Sequence, residues 1–357
     1  MMSEATFQID GKNIGENQPA FVIAEIGINH NGDIETAHAM VDAIAESGCD
    51  CVKFQTFHAD EFCSNEKDTY EYVSQDKIIK ESMLEMFRRF ELKQEEFAEL
   101  FVHARERGLA AFSTPTDIAA VDLLADIGVD AYKIGSDDLV YTPFLEYVAK
   151  KGKPVIISTG MATLEDVQRA VDVLKKGGLP LEQIAILHCI SAYPTPADAI
   201  HLNRIPMLQG VFPECIIGFS DHSWGITPAL GAVALGARIV EKHFTLDHNM
   251  AGPDHRFSAD PKQLTDLVRE VRVIEQALGQ SELVMSKHDQ EMAALCHRSV
   301  YAASDLPVGK IIELSDLVFQ RPGSGLKPYE VKNIVGRQLT GRVDAGTAFD
   351  LDMFGDR

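Results

Sequence analysis

The sequence predicts an α/β chain, a (β/α)8 TIM barrel followed by a small β-rich module. Three observations lead there. Eight apolar, strand-like runs recur between residues 21 and 243, most of them separated by amphipathic helical stretches. This is the rhythm of a parallel sheet whose crossovers are helices. Nearly every run ends in a polar residue, and barrel enzymes carry their chemistry at the C-terminal ends of the strands. From about His297 the texture changes to short β-rich pieces with many turns. An open doubly wound sheet is the alternative, but no GxGxxG follows the first strand.

Taken in order, Phe7–Ile14 holds Asp10-Gly11 between short apolar segments and predicts a hairpin, a plug or flap ahead of the barrel. The predicted strands are Phe21–Gly27, Cys51–Gln55, Ala110–Ser113, Ala131–Gly135, Pro154–Ser158, Ile184–Cys189, Cys215–Phe219 and Arg238–His243. Glu35–Ser47, Gln94–Arg107, Leu164–Lys176, Thr227–Ala237 and Pro261–Leu278 carry helical patterns. Ser64–Met86 is long and charged, and reads as an extended loop carrying a helix over the barrel mouth. Periodicity is lost from Gly279–Lys287. The expected organisation is a barrel with its hairpin over 1–282, a linker over 283–296 and a module over 297–357. A module of this size is near the lower limit for folding alone.

The net charge of −21 argues against nucleic acid or an anionic membrane as partner. No apolar run reaches membrane-spanning length, and MMSEATFQID lacks the pattern of a secretory leader. The six cysteines form no CxxC pair. Together these predict reduced thiols and a cytoplasmic protein.

The polar residues at the strand ends suggest a site. Strand alternation puts Ser220 and His222 on one face, and Glu241 and His243 on one face of the next strand. Two imidazoles at matching ends of adjacent strands could share a divalent metal and leave positions open for substrate. Lys53 and Lys133 interrupt buried apolar strands, and a buried ammonium needs an anion or a depressed pKa. With the hydroxyls nearby they suit a small phosphorylated carboxylate. A Schiff-base lysine is the rival chemistry.

The motifs AEIGINHNG, VKFQTF, FSTP, YKIGS, ISTGM, HCISAYPTP, GFSDH, EKHFTLD and GPDH, in that order, resemble the sialic acid (nonulosonic acid) synthase family. RPGSG in the tail is similar to that family's antifreeze-like (SAF) domain. The resemblance implies a phosphoenolpyruvate-dependent C–C bond-forming transferase that acts on an N-acylated hexosamine such as N-acetylmannosamine. A legionaminic- or pseudaminic-type acceptor is the alternative. It implies Lys53, Thr114, Lys133, Ser136, Ser158 and Ser220 around phosphoenolpyruvate, and Glu25, Gln55, Tyr193 and Asp254 near the sugar, with Ser191 close by. Glu25, His222 and His243 are the candidate catalytic residues. The two histidines would be ligands of a Mn²⁺-type metal, with Mg²⁺ or Co²⁺ as alternatives. The resemblance further implies a domain-swapped homodimer in which Arg321 reaches the partner subunit's site. Ser191 stands where some relatives have Asn, and Asp138 where many have Glu. A non-enzymatic carbohydrate- or ice-binding protein is the rival outside enzymes.

Overall fold

The computed structural model describes residues 5–355. The chain forms two compact units, Met1–Gly279 and Gln280–Arg357.

The first unit begins with the predicted hairpin, β1 (Thr6–Ile9) and β2 (Lys12–Gly15), turning at Asp10-Gly11. β3 (Phe21–Gly27) and β4 (Cys51–Thr56) follow, then a second antiparallel hairpin, β5 (Thr69–Ser74) and β6 (Lys77–Ser82). β7 (Ala110–Pro115), β8 (Tyr132–Ile134), β9 (Val155–Ser158), β10 (Ile184–Cys189), β11 (Ile216–Asp221) and β12 (Ile239–His243) complete the set. Strands β3, β4 and β7 to β12 are paired in parallel and close into a barrel in sequence order. The TIM-barrel expectation therefore holds, and the open sheet is excluded.

These residues make strands because both faces can be buried. On β3, Val22, Ala24 and Ile26 pack outward against the helices, and Phe21 and Ile23 point into the barrel. Such a two-sided apolar run is what a parallel strand under helices needs. Phe7, Ile9 and Ile14 of the first hairpin join Phe21, Phe112, Ile156 and Leu187 in one interior cluster, so the hairpin plugs the N-terminal end. Asp10 locks it there, accepting from Ala111 N at 2.9 Å and from Arg105 Nε at 3.0 Å. Helix starts are fixed by side-chain caps. Thr163 and Asp166 form a capping box for Leu164–Lys176, and Asp260 and Gln263 form one for Pro261–Leu278.

Ser64–Met86 departs from its expectation. It is not an open loop with a helix but the β5–β6 hairpin leading into a helix, Met83–Phe90. The hairpin is fastened to the loop after β12: Ser74 Oγ accepts from Gly252 N at 3.0 Å, and Gln75 Nε2 donates to Asn249 O at 2.9 Å.

The second unit opens with a helix, Lys287–Cys296, within the stretch expected to be linker. β13 (Ser299–Ala302) and β14 (Leu317–Gln320) then pair antiparallel. They close over a core that includes Val300, Ile312, Ile334 and Phe349. All six cysteines are unpaired, and no helix of the described residues is long and apolar enough to cross a membrane.

Candidate active site

Inside the barrel the side chains change character along each strand. Ile23 is followed on the same face by Glu25, Cys51 by Lys53 and Gln55, Phe112 by Thr114, Ile156 by Ser158, and Ile239 by Glu241 and His243. The apolar layer forms a floor, and the polar layer above it lines a cavity of about 500 Å³. Every residue predicted for the site in this unit lines that cavity: Glu25, Lys53, Gln55, Thr114, Lys133, Ser136, Ser158, Ser191, Tyr193, Ser220, His222, His243 and Asp254. Arg321 belongs to the second unit, exposed in the loop after β14.

Just above the apolar floor lies a buried charge cluster. Lys53 Nζ stands 2.7 Å from Glu25 Oε2 and 3.7 Å from Glu241 Oε2, and donates to Thr114 Oγ1 at 2.9 Å. Gln55 Nε2 donates to Glu25 Oε1 at 3.1 Å, and Ser220 Oγ donates to Glu241 Oε1 at 2.9 Å. Lys133 Nζ donates to the carbonyl of Ile134 at 2.8 Å and has no carboxylate within ion-pair distance among the described residues. Burial pulls the Lys133 ammonium down. Burial opposes charge on Lys53 too, but Glu241 and Glu25 more than offset it and hold the ammonium above its ordinary value.

Three serines, Ser136, Ser158 and Ser191, line the same cavity as Lys133. Ser136 Oγ accepts from Gly160 N at 3.0 Å. A Cβ at position 160 would collide with the Ser191 and Ser136 hydroxyls, so glycine lets the backbone N–H approach them. The Ser158 and Ser191 hydroxyls are buried without a protein partner. Buried polar atoms are normally satisfied, so such orphans at a cavity wall mark where a ligand's oxygens would sit.

The two histidines stand together at the rim, ring centroids 5.3 Å apart. His222 Nδ1 lies 2.9 Å from Ile190 O, which can only accept, so Nδ1 carries the proton and Nε2 offers its lone pair. His243 Nδ1 is buried with no hydrogen bond, 3.8 Å from Asp254 Oδ2. Burial, then the neighbouring cations, hold His243 well below its ordinary value, so it is a neutral imidazole. Burial lifts the Asp254 carboxyl to about 6. Burial opposes charge on His222, but Cys189 and the Ile190 carbonyl more than offset it and hold the imidazole above its ordinary value. The two adjacent imidazoles fit an open divalent site. No three-membered group of His, Cys, Asp or Glu converges as a full ligand set among the described residues.

Several cavity residues escaped the sequence reading. Tyr70, Met83, Met86 and Phe87 come from the hairpin-and-helix segment and give the cavity an apolar wall. Phe257 packs against both histidines and Tyr193, at 5.3 Å from His243 and from Tyr193. The alternating tyrosines in TYEYVS were a visible strand signal; nothing local marked Phe257.

Glu25 gives a pH prediction. Burial outweighs the pull of Lys53 and raises its carboxyl from 4.5 to about 7. A raised carboxyl favours folding while protonated, and that contribution is lost as pH climbs from 4.5 towards 7. Wild type should therefore lose roughly 3 kcal/mol over this window that a Glu25→Gln variant keeps, at about 1.36 kcal/mol per pH unit. Thermal unfolding of both proteins from pH 4.5 to 7.5 checks this. Parallel curves would contradict it.

The fold and site define a (β/α)8 barrel with a buried charge cluster beneath a histidine pair. The NeuB family matches residues 40–283 and the SAF domain matches residues 297–355. The chain belongs to the NeuB family. It is 38% identical to the N,N'-diacetyllegionaminic acid synthase of Campylobacter jejuni, over 89% of this chain and 95% of that protein. It is 34% identical to the human N-acetylneuraminate-9-phosphate synthase, over 92% of this chain and 91% of that one. The crystal structure of the N-acetylneuraminic acid synthetase of Leptospira borgpetersenii, in complex with citrate, superposes with a TM-score of 0.73 at 34% identity. That match covers 82% of this chain and 96% of the other.

Proposed function

We propose that this barrel condenses phosphoenolpyruvate with the open-chain aldehyde of an N-acylated hexosamine and releases phosphate, as a nonulosonic acid synthase. N-acetylmannosamine is the first candidate acceptor, with a diacetamido-trideoxyhexose of the legionaminic or pseudaminic type as the alternative. The observation that carries this reading is Lys53 and Lys133 buried in one cavity with unpartnered serine hydroxyls beneath the histidine pair. A carboxylated, phosphorylated three-carbon substrate would satisfy all of them.

Lys53, Lys133 and the Ser136, Ser158 and Ser191 hydroxyls hold the phosphate and carboxylate, which leaves C3 facing the rim. C3 then attacks the aldehyde carbon. The C–C bond forms, the carbonyl pair moves onto the aldehyde oxygen, and C2 becomes oxocarbenium-like. Water adds to C2, and the proton it loses passes to the alkoxide formed from the aldehyde. The C2–O bond to phosphate then breaks as the C2 hydroxyl gives its proton to the departing phosphate, leaving a 2-keto acid. Glu25, Gln55, Tyr193 and Asp254 grip the sugar, and Glu25, raised to about 7, can exchange a proton at neutral pH. His222 and His243 would hold a divalent cation, Mn²⁺ in the first instance. Such a cation supplies Lewis-acid polarisation of a carbonyl. The apolar wall of Tyr70, Met83 and Met86 screens the cavity from bulk solvent.

One observation favours a second reading. A buried lysine with a lowered pKa, as at Lys133, is also what a Schiff-base aldolase uses.

A panel of N-acylated hexosamines, incubated with phosphoenolpyruvate and Mn²⁺, tests the proposal. Phosphate release should depend on the sugar and match the sugar acid formed. Phosphate release that ignores the sugar, or none with any acceptor, would refute it.

A further inference from the structure

We propose that the buried ion pair Lys242–Asp221 positions His222 against His243, so that both are positioning residues of the metal site; this rests on the reading that the two histidines hold a divalent cation. β11 and β12 pair Phe219 with Val240, Ser220 with Glu241 and Asp221 with Lys242, and there the pairing ends. The histidines are the next residue on each strand. His243 is held on its other side, where it pairs with Glu25 of β3. The carbonyl of His222 accepts from Thr195 N at 3.0 Å. Neither bond ties one histidine to the other. A tie between the two histidine-bearing strand ends has to come from other side chains.

The side chains on the opposite face supply that tie. Alternation sends Ser220, His222, Glu241 and His243 into the cavity, while Asp221 and Lys242 do not line it. Lys242 Nζ lies 3.0 Å from Asp221 Oδ2 and donates to the carbonyl of Ser223 at 2.6 Å. Asp221 Oδ1 accepts from Ser223 N at 2.8 Å and from Ser223 Oγ at 2.6 Å. The residues on both sides of His222 are thus bound to the residue immediately before His243. Breaking the pair would uncouple the two histidines from each other.

Energetics argue that the pair is there for position and not for stability. Lys242 and Asp221 are each 1% exposed. Elsewhere this face of the strands carries apolar residues such as Val22, Val52, Ile217 and Val240. A buried ion pair is commonly no more stable than well-packed apolar residues of the same volume. A residue that orients a ligand from behind typically changes metal affinity when it is lost.

The test uses the full-length double variant Asp221→Asn/Lys242→Met, which replaces the pair with a neutral one of similar volume. Asn keeps the oxygen that accepts from Ser223. Free Mn²⁺ is titrated by electron paramagnetic resonance, and Tm, kcat and KM are measured alongside, with His243→Ala as the binding control. The expected result is a Tm close to or above that of wild type, a Mn²⁺ Kd weakened about 10- to 100-fold, and a fall in kcat. An unchanged Kd overturns the proposal, and a lowered Tm with unchanged Kd assigns the pair to stability alone. If wild type and His243→Ala bind Mn²⁺ equally, the metal reading itself fails and takes the proposal with it. If the double variant does not fold, Lys242→Arg serves in its place. It keeps the charge but cannot reproduce the ammonium's two bonds, and should shift the Kd several-fold in a folded protein; no shift overturns the proposal.

Discussion

His222→Ala and His243→Ala are each expected to reduce turnover roughly a thousandfold or more while leaving the barrel folded. Lewis-acid stabilisation of developing charge amounts to several kcal/mol, and about 1.4 kcal/mol corresponds to each factor of ten. The rings stand above the apolar floor of Phe21, Phe112, Ile156 and Leu187, so their loss opens no cavity in the packed layers. Their neighbours are Tyr193 and Phe257, at the rim of the same site. Circular dichroism should match wild type, and Mn²⁺ added after chelation should restore wild type but neither variant. A variant that keeps wild-type turnover after chelator treatment would remove the histidines from the mechanism.

The second large effect separates the two lysines. Lys53→Met should destabilise the protein by about 3–5 kcal/mol, because it leaves buried carboxylates without their cation. Those carboxylates are Glu25, 2.7 Å from Lys53 Nζ, and Glu241, 3.7 Å away. Lys133→Met should behave oppositely. Its ammonium is held by a backbone carbonyl and is disfavoured by burial, so the fold loses little when it goes. The loss falls on substrate instead. One charge-assisted bond is worth about 1.5–3 kcal/mol, so KM for phosphoenolpyruvate should rise roughly 10- to 100-fold. Unfolding curves and steady-state kinetics on both variants check this contrast. Borohydride added with pyruvate should leave no adduct on Lys133; an adduct there would favour the aldolase reading.

Much of this architecture was legible in the sequence because its signals are local. A two-sided apolar run ending in a polar residue announces a barrel strand and its site residue together, as CVKFQT and IVEKH do. The lysines stood out because an ammonium has no place in such a run unless something anionic meets it. What escaped depends on distant pairing or on unusual turns. The β5–β6 hairpin turns at Gln75-Asp76, both with positive φ (49° and 59°). Its turn type favours Asn-Gly or Asp-Gly, so Gln-Asp gave no warning. Lys242 sits in the same EKH triplet as His243, yet its partner lies one strand away, and the β11–β12 register brings them to 3.0 Å. Glu241 was legible as a neighbour of the site. Its place beside Lys53 needed β12 and β4 on either side of β3.

In the proposed reaction phosphoenolpyruvate loses its phosphate by cleavage at carbon and not at phosphorus. Phosphoenolpyruvate labelled with ¹⁸O at the bridging oxygen tests it most directly. With the acceptor sugar present, the reading predicts the label in the released phosphate, because water adds at C2 and the C2–O bond breaks. Label kept in the sugar acid would mean cleavage at phosphorus, and would contradict the proposed chemistry of the cavity.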